Sequence, residues 1–216
     1  MESNSILLIS VDTSGKHGSV GLAQGNPDGT CDVIEVIPLA GGTFSAQLIP
    51  QIADLLSKHH LSKRDIGGFT VASGPGSFTG LRVGLAAVKA LAEVTGKPIA
   101  TVSLLEAVAL TSANSRHALA ALDAGRGEVY LGEYQRGRMI REQLVTREEL
   151  AIMAGDRFMA TPDHEIAQNA KIVPRPTAGA IARLGWTKIL ARDTVSPEAL
   201  EANYIRRSDA ETSAES

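Results

Sequence analysis

One stretch, Asp65 to Thr95, constrains this chain more than any other. Phe69-Thr70-Val71-Ala72 is short, apolar and partly β-branched, so it reads as a buried strand. Gly74-Pro75-Gly76 stops the strand and turns the chain. Ser77 is placed to cap a helix, because its hydroxyl can accept from a free amide of the first turn. From Phe78 onward the period is helical, with Gly80, Gly84, Ala87 and Leu91 on one stripe and Leu81, Leu85, Val88 and Ala92 on the next. Each glycine inside a helix costs about 1 kcal/mol against alanine, so two of them four apart need a reason. The reason expected is close approach of another backbone, belonging either to the chain's own sheet or to another protein.

A glycine-rich turn between strand and helix also invites a phosphate site. The spacing departs from both familiar forms. Gly74, Gly76 and Gly80 are one residue too long for the dinucleotide fingerprint, and Leu81-Arg82 stands where a P-loop needs Lys followed by Ser or Thr. A tight structural turn is the expectation.

The remaining chain reads as three strands (6–11, 19–23 and 31–39), a helix over 44–60 and the strand and helix above. A strand at 99–102 and a short helix from Leu104 follow. Three antiparallel strands before the first helix exclude the strict βαβ alternation of a doubly wound nucleotide fold. The opening then repeats. Ala118 to Leu122, Asp123-Ala124-Gly125 and Glu128 to Gly132 mirror Ile9 to Val11, Asp12 to Gly15 and Ser19 to Leu22. Both read strand, aspartate, small-residue turn, strand. A third strand is expected around Met139 to Val145, short strands at 157–160 and 171–173, and a helix over 176–190. The duplication implies two related lobes: residues 1–113, residues 114–207 with a boundary near Asn114-Ser115, and a disordered tail from Ser208.

Two aspartates at equivalent strand ends, Asp12 and Asp123, are the one constellation with catalytic flavour. Across a cleft they could hold a divalent metal, with Thr13 and Ser14 meeting phosphates. The plainer reading is that each aspartate caps its own turn. The five histidines never stand four apart, so a helix-borne metal pair is missing, and no metal site is expected. Ser77 lacks the frame of a nucleophile elbow. Cys31 is the one cysteine and reads as a core residue rather than a catalyst. A net charge of −3 gives no electrostatic case for a large nucleic-acid surface. No apolar run approaches a membrane span, and Met1-Glu2-Ser3-Asn4 lacks the basic start of a secretion signal, so a cytoplasmic place is expected.

Taken together, Val11-Asp12-Thr13-Ser14, the run Ser73 to Leu85 with its Gly-Pro-Gly-Ser-Phe-Thr-Gly-Leu-Arg, Ala121-Leu122-Asp123-Ala124, Glu128-Val129-Tyr130 and Asn203-Tyr204-Ile205-Arg206 resemble the bacterial TsaB (YeaZ) family. The resemblance implies an α/β, actin-like (ASKHA, RNase H-like) two-lobed fold with mixed sheets and flanking helices. It implies a non-catalytic subunit that pairs with its paralogue TsaD in making threonylcarbamoyladenosine in tRNA. TsaD would carry the metal and the transfer chemistry, and the ATPase TsaE would join through the complex. ATP and magnesium would be bound by those partners, leaving no cofactor here. Transfer RNA would be met only through the complex, and a homodimer would form when the chain is alone. The family often has His-Ser-Glu where this chain has Phe44-Ser45-Ala46, so a nucleotide set of Asp12, Thr13, Ser14 and Asp123 would be vestigial. The family pairs through two helices of its first lobe. That assigns partner contact to Leu48, Ile52, Leu55, Phe78, Gly80, Leu81, Gly84, Ala87 and Val88, with Gly84→Leu expected to weaken pairing and spare the fold. The alternative is an active small ATPase or kinase using Asp12 and Asp123. A peptidase, the other rival, lacks both metal ligands and a triad.

Overall fold

The computed structural model describes residues 5–110, 117–155, 157–166 and 170–206. In chain order the elements are β1 (Ile6–Asp12), β2 (Gly18–Gly25), β3 (Cys31–Leu39), α1 (Phe44–Lys58), β4 (Ile66–Gly74), α2 (Phe78–Thr95), β5 (Ile99–Ser103) and α3 (Leu104–Leu110). They continue as β6 (His117–Gly125), β7 (Glu128–Gln135), β8 (Arg138–Thr146), α4 (Arg147–Ala154), β9 (Met159–Thr161), β10 (Lys171–Ile172) and α5 (Ala178–Leu190).

The strands form two five-stranded sheets, ordered β3-β2-β1-β4-β5 and β8-β7-β6-β9-β10. In each sheet the first three strands in sequence make an antiparallel meander. The fourth strand then lies parallel to the first and the fifth parallel to the fourth. The repeat seen in the residues is therefore a repeat of topology. It is the mixed-sheet arrangement of the actin-like fold.

The division of the chain differs from a single crossing near residue 114, a position that lies outside the described residues, as does the tail. One compact unit comprises Met1–Ser103 with Pro176–Ala202, and the other Leu104–Arg175 with Asn203–Ser216. The helix that follows each sheet leaves it. α3 packs on β6 and β7, while α5 packs on β1 to β5. A single cut in sequence cannot express this exchange.

In the first unit β1 is buried on both faces, which is why it reads as a continuous apolar run. Ile9, Val11, Val20, Leu22, Phe69 and Val71 pack with α1 and α2. Leu8 and Ala23 turn the other way, onto Ala182 and Trp186 of α5. Small residues let α5 lie close. Gly185 sits against the Thr70 side chain, where any Cβ would collide, and Gly179 sits over Val33 and Val36. The start of α5 has no cap from its own Thr177. Ser19 of β2 supplies it instead, accepting from the Ala178 amide at 2.8 Å, and the Ser10 hydroxyl donates to the Ala178 carbonyl at 2.6 Å.

In the second unit Leu119, Ala121, Val129, Leu131 and Val145 pack with Leu150 of α4. Thr146 opens α4 with a capping box. Its hydroxyl accepts from the Glu149 amide at 3.1 Å, and the Glu149 carboxylate accepts from the Thr146 amide at 2.8 Å. Asn203 donates to Glu142 of β8 at 2.6 Å, and Arg206 pairs with Glu128, so the last described segment is tied to this sheet.

One buried group is left over. The Thr70 hydroxyl, fully buried between β4 and α5, has no hydrogen-bond partner among the described residues. An unpaired buried hydroxyl costs about 1–3 kcal/mol, and valine keeps its shape without it. Thr70→Val is expected to raise stability by about 1 kcal/mol in urea denaturation, and a fall of that size would show that the hydroxyl has a partner in solution.

Candidate functional site

The turn after β1 and the start of α2 form one contact. Ser77 caps α2 by accepting from the Gly80 amide at 3.3 Å, and Gly96 closes the helix in the left-handed conformation at φ 66°. The helix then runs across the β1–β2 turn with no side chain between them. A Cβ on Gly80 would collide with the Thr13 carbonyl oxygen, one on Gly84 with the Thr13 hydroxyl, and one on Gly76 with the Ser14 carbonyl. The Gly74–Pro75 bond that leads into the helix is cis.

This approach engages the Thr13 and Ser14 hydroxyls and the Ser14 and Ser77 amides. The Thr13 hydroxyl donates to the Gly80 carbonyl at 2.8 Å, and the Ser77 amide donates to the Ser14 carbonyl at 2.7 Å. Asp12 Oδ1 accepts from both the Ser14 amide, at 3.0 Å, and the Ser14 hydroxyl, at 2.5 Å. Asp12, Thr13 and Ser14 are all buried, with relative exposures of 5, 2 and 5%. The plainer reading, an aspartate that caps its own turn, describes the geometry of Asp12.

Asp123 stands at the equivalent position of the second unit but in different surroundings. It is exposed, and its carboxylate lies 3.6 Å from Arg147. Its amide donates to Asp163 at 2.9 Å, and Asp163 pairs with Arg175. Asp12 and Asp123 belong to different units. The turn of the second unit is thus an exposed network of carboxylates and guanidinium groups, held by screened pairs that each contribute little.

The glycine stripe assigned to a partner faces the chain's own sheet. Gly80, Leu81, Gly84 and Val88 of α2 are buried in the first unit. Leu48, Ile52 and Leu55 of α1 are buried with them, at 4% exposure or less. Ala87 is half-buried at the edge of this core. Of the partner residues named from the sequence, only Phe78 is exposed, with the Arg82 guanidinium 3.7 Å from its ring centroid. The helical period grouped these residues on one side of each helix, but it could not say whether that side met the sheet or a partner. The outward face consists of other residues: Ala46, Ile49 and Ala53 on α1, and Ala86, Ala90 and Val94 on α2. Ile49 and Val94 are 48 and 73% exposed. The signal that could have found them is the spacing of Ala86, Ala90 and Val94, each four apart, on the side opposite the stripe of Leu81, Leu85, Val88 and Ala92.

Cys31 opens β3, and burial pushes its thiol up to about 11. It is protonated at neutral pH and is no nucleophile. Among the described residues no group of three His, Cys, Asp or Glu side chains is placed to hold a metal ion. No helix of the described residues is long and apolar enough to cross a membrane.

Two outcomes are expected. Gly80→Ala, which helix propensity alone would favour by about 1 kcal/mol, instead lowers stability by about 2 kcal/mol or more, because the Thr13 backbone cannot yield. Gly84→Leu disrupts the fold rather than sparing it, whereas Ala86→Leu on the outward face leaves the urea midpoint unchanged. Separately, iodoacetamide labels Cys31 slowly at pH 8, where about a thousandth of it is thiolate, and its rate rises tenfold per pH unit up to about pH 11.

The family model described as TsaD, tRNA N6-adenosine threonylcarbamoyltransferase, matches residues 37–188. The TsaB protein of Bacillus subtilis, named for tRNA threonylcarbamoyladenosine biosynthesis, is 34% identical over 142 residues, covering 64% of this chain and 59% of the relative. TsaB of Escherichia coli is 35% identical over 133 residues, covering 60% and 55%. The matched region thus spans a little over half the length of these curated relatives. TsaB of Haemophilus influenzae is 29% identical and matches across 93% of this chain and 94% of its own length. Among solved structures, a Pseudomonas aeruginosa protein described as similar to the peptidase YEAZ superposes with a TM-score of 0.75 at 24% identity, covering 93% of this chain and all of that one. The YeaZ structure from the same organism gives 0.74 at 23%. These two share the fold. A model match over residues 37–188, with TsaB proteins as the similar sequences and YeaZ as the shared fold, leads to one conclusion: the chain belongs to the TsaD family, on its TsaB/YeaZ branch.

Proposed function

We propose that this chain is a non-catalytic partner subunit in the making of threonylcarbamoyladenosine in tRNA, and that its task is to bind a TsaD-type paralogue. The reading is supported by the names of its relatives and by one observation. The β1–β2 turn, where an actin-like ATPase would meet nucleotide phosphates, has the Thr13 and Ser14 hydroxyls, the Ser14 amide and the Ser14 carbonyl bonded inside the first unit. An active ATPase using Asp12 would need that carboxylate for a metal or water, yet Oδ1 already accepts two hydrogen bonds from Ser14. ATP and magnesium are then the business of the partner subunits, with the TsaE-type ATPase joining through the complex.

The outward face of α1 and α2 is the surface proposed for pairing. Ala46, Ile49 and Ala53, together with Ala86, Ala90 and Val94, are exposed, small or apolar, and aligned along their helices. Small side chains let two helices approach closely, and Ile49, Val94 and Phe78 supply apolar area. Because the paralogue shares the fold, the same face can meet a second copy of this chain when the paralogue is absent, as a two-fold interface reuses one patch.

Co-expression with the paralogue, followed by size-exclusion chromatography, tests this. Ile49→Asp and Val94→Asp, at positions already in solvent, are expected to keep the wild-type Tm while co-elution falls at least tenfold. Co-elution of both variants at wild-type strength would remove this face from the interface.

A further inference from the structure

The second unit carries a positive surface at the tip of its β7–β8 hairpin. The turn is two residues long, since Gln135 pairs with Arg138. Both loop residues have left-handed backbones, Arg136 at φ 50° and Gly137 at φ 76°. This is the geometry of a type I′ turn, whose first position favours Asn, Asp or Gly. An arginine there holds a conformation that its Cβ disfavours. Arg136 and Arg138 are exposed and have no acidic partner among the described residues. Beside them Arg141 and Arg157 share the single carboxylate of Glu133, at 3.2 and 2.7 Å. Gln135 contacts the exposed His117 on the neighbouring strand, 3.4 Å away. Among the described residues four guanidinium groups thus stand against one acid.

Two plainer explanations fall short. Charges on an edge strand discourage pairing with other strands, and β8 is the edge of its sheet. That role would be met by Arg138 and Arg141 alone, and it gives no reason for a cation at a turn position where Asn is easier. A generic solvated surface would mix lysine with arginine. In this unit every cationic residue is arginine except Lys171. Guanidinium groups hold phosphate oxygens bidentately, which ammonium groups do not.

We infer that this hairpin tip binds the phosphate backbone of RNA directly. Arg136 and Arg138 supply the free guanidinium groups, and Arg141 and Arg157 supply the positive field behind them. The tRNA reading above is used only to choose the class of polyanion. The charge and the backbone conformation stand without it.

The test is fluorescence anisotropy of an end-labelled tRNA transcript with the 216-residue chain, from about 50 to 200 mM salt. Arg136→Asn suits the turn better, so its Tm is expected to hold or rise while its RNA affinity falls severalfold. Arg138→Gln weakens binding in the same way. The double variant is expected to lower the slope of log affinity against log salt by about 2, one for each phosphate no longer neutralised. Arg192→Asn is the matched control. It removes an exposed arginine at φ 58° from the first unit and is expected to leave RNA binding unchanged. Wild-type affinity in the double variant, an equal fall in Arg192→Asn, or no salt-dependent binding by the wild type would each overturn the assignment. Failure of the double variant to co-elute with the paralogue, with RNA affinity intact, would overturn it too and make the tip a protein-binding surface. Ile49→Asp keeps its RNA affinity, so a failure of the pairing reading appears in a different arm.

Discussion

The seating of α2 on the β1–β2 turn is the contact on which the first unit depends. Gly76, Gly80 and Gly84 let two stretches of backbone meet without side chains between them. That approach brings the Thr13 hydroxyl to the Gly80 carbonyl and the Ser77 amide to the Ser14 carbonyl. The intrinsic cost of helical glycine, about 1 kcal/mol each, is offset by buried hydrogen bonds that no larger residue would allow. With the helix fixed there, Leu81, Leu85 and Val88 reach the sheet, and Leu48, Ile52 and Leu55 of α1 complete the same core. The same contact holds the Thr13 hydroxyl and the Ser77 amide in bonds within the unit, which is what supports the proposed non-catalytic reading. Structure and proposed loss of catalysis therefore share one cause.

The duplicated topology shows how far the two units have diverged. Both sheets have one strand order, but β4 and β5 run nine and five residues where β9 and β10 run three and two. The two turns that follow the first strand of each sheet have parted as well. Asp12 is buried and holds its own loop, whereas Asp123 is exposed among arginines. The first unit has put its polar groups to structural use, and the second has kept its charge at the surface. That asymmetry is consistent with the roles proposed above, protein contact for the first unit and RNA contact for the second.

Much of this was legible in the residues, for reasons that are local. The Ser77 cap depends on neighbours in sequence and formed where its pattern lay, and the turn at Asn26 to Gly29 and the capping box at Thr146 are local in the same way. The repeat was legible because a strand, an aspartate and a small-residue turn recur in order. What could not be read depends on partners distant in the chain. The departure of α3 and α5 from the sheets they follow needs contacts such as Ser10 with Ala178, 168 residues apart. Likewise α2 has one stripe of glycine and leucine and another of alanine and valine. Only the position of Thr13 decides that the glycines turn inward. The hairpin arginines were passed over because net charge near zero hides a local excess, and because a left-handed backbone at Arg136 is not written in any short pattern.

Whether the β1–β2 turn stays closed is read most directly by amide hydrogen exchange. The Ser14 and Ser77 amides, bonded to Asp12 and to the Ser14 carbonyl, should exchange only through global unfolding, with protection that Mg-ATP leaves unchanged. Rapid exchange of these two amides through local opening, slowed on adding Mg-ATP, would show that the turn opens to nucleotide and would contradict a non-catalytic role.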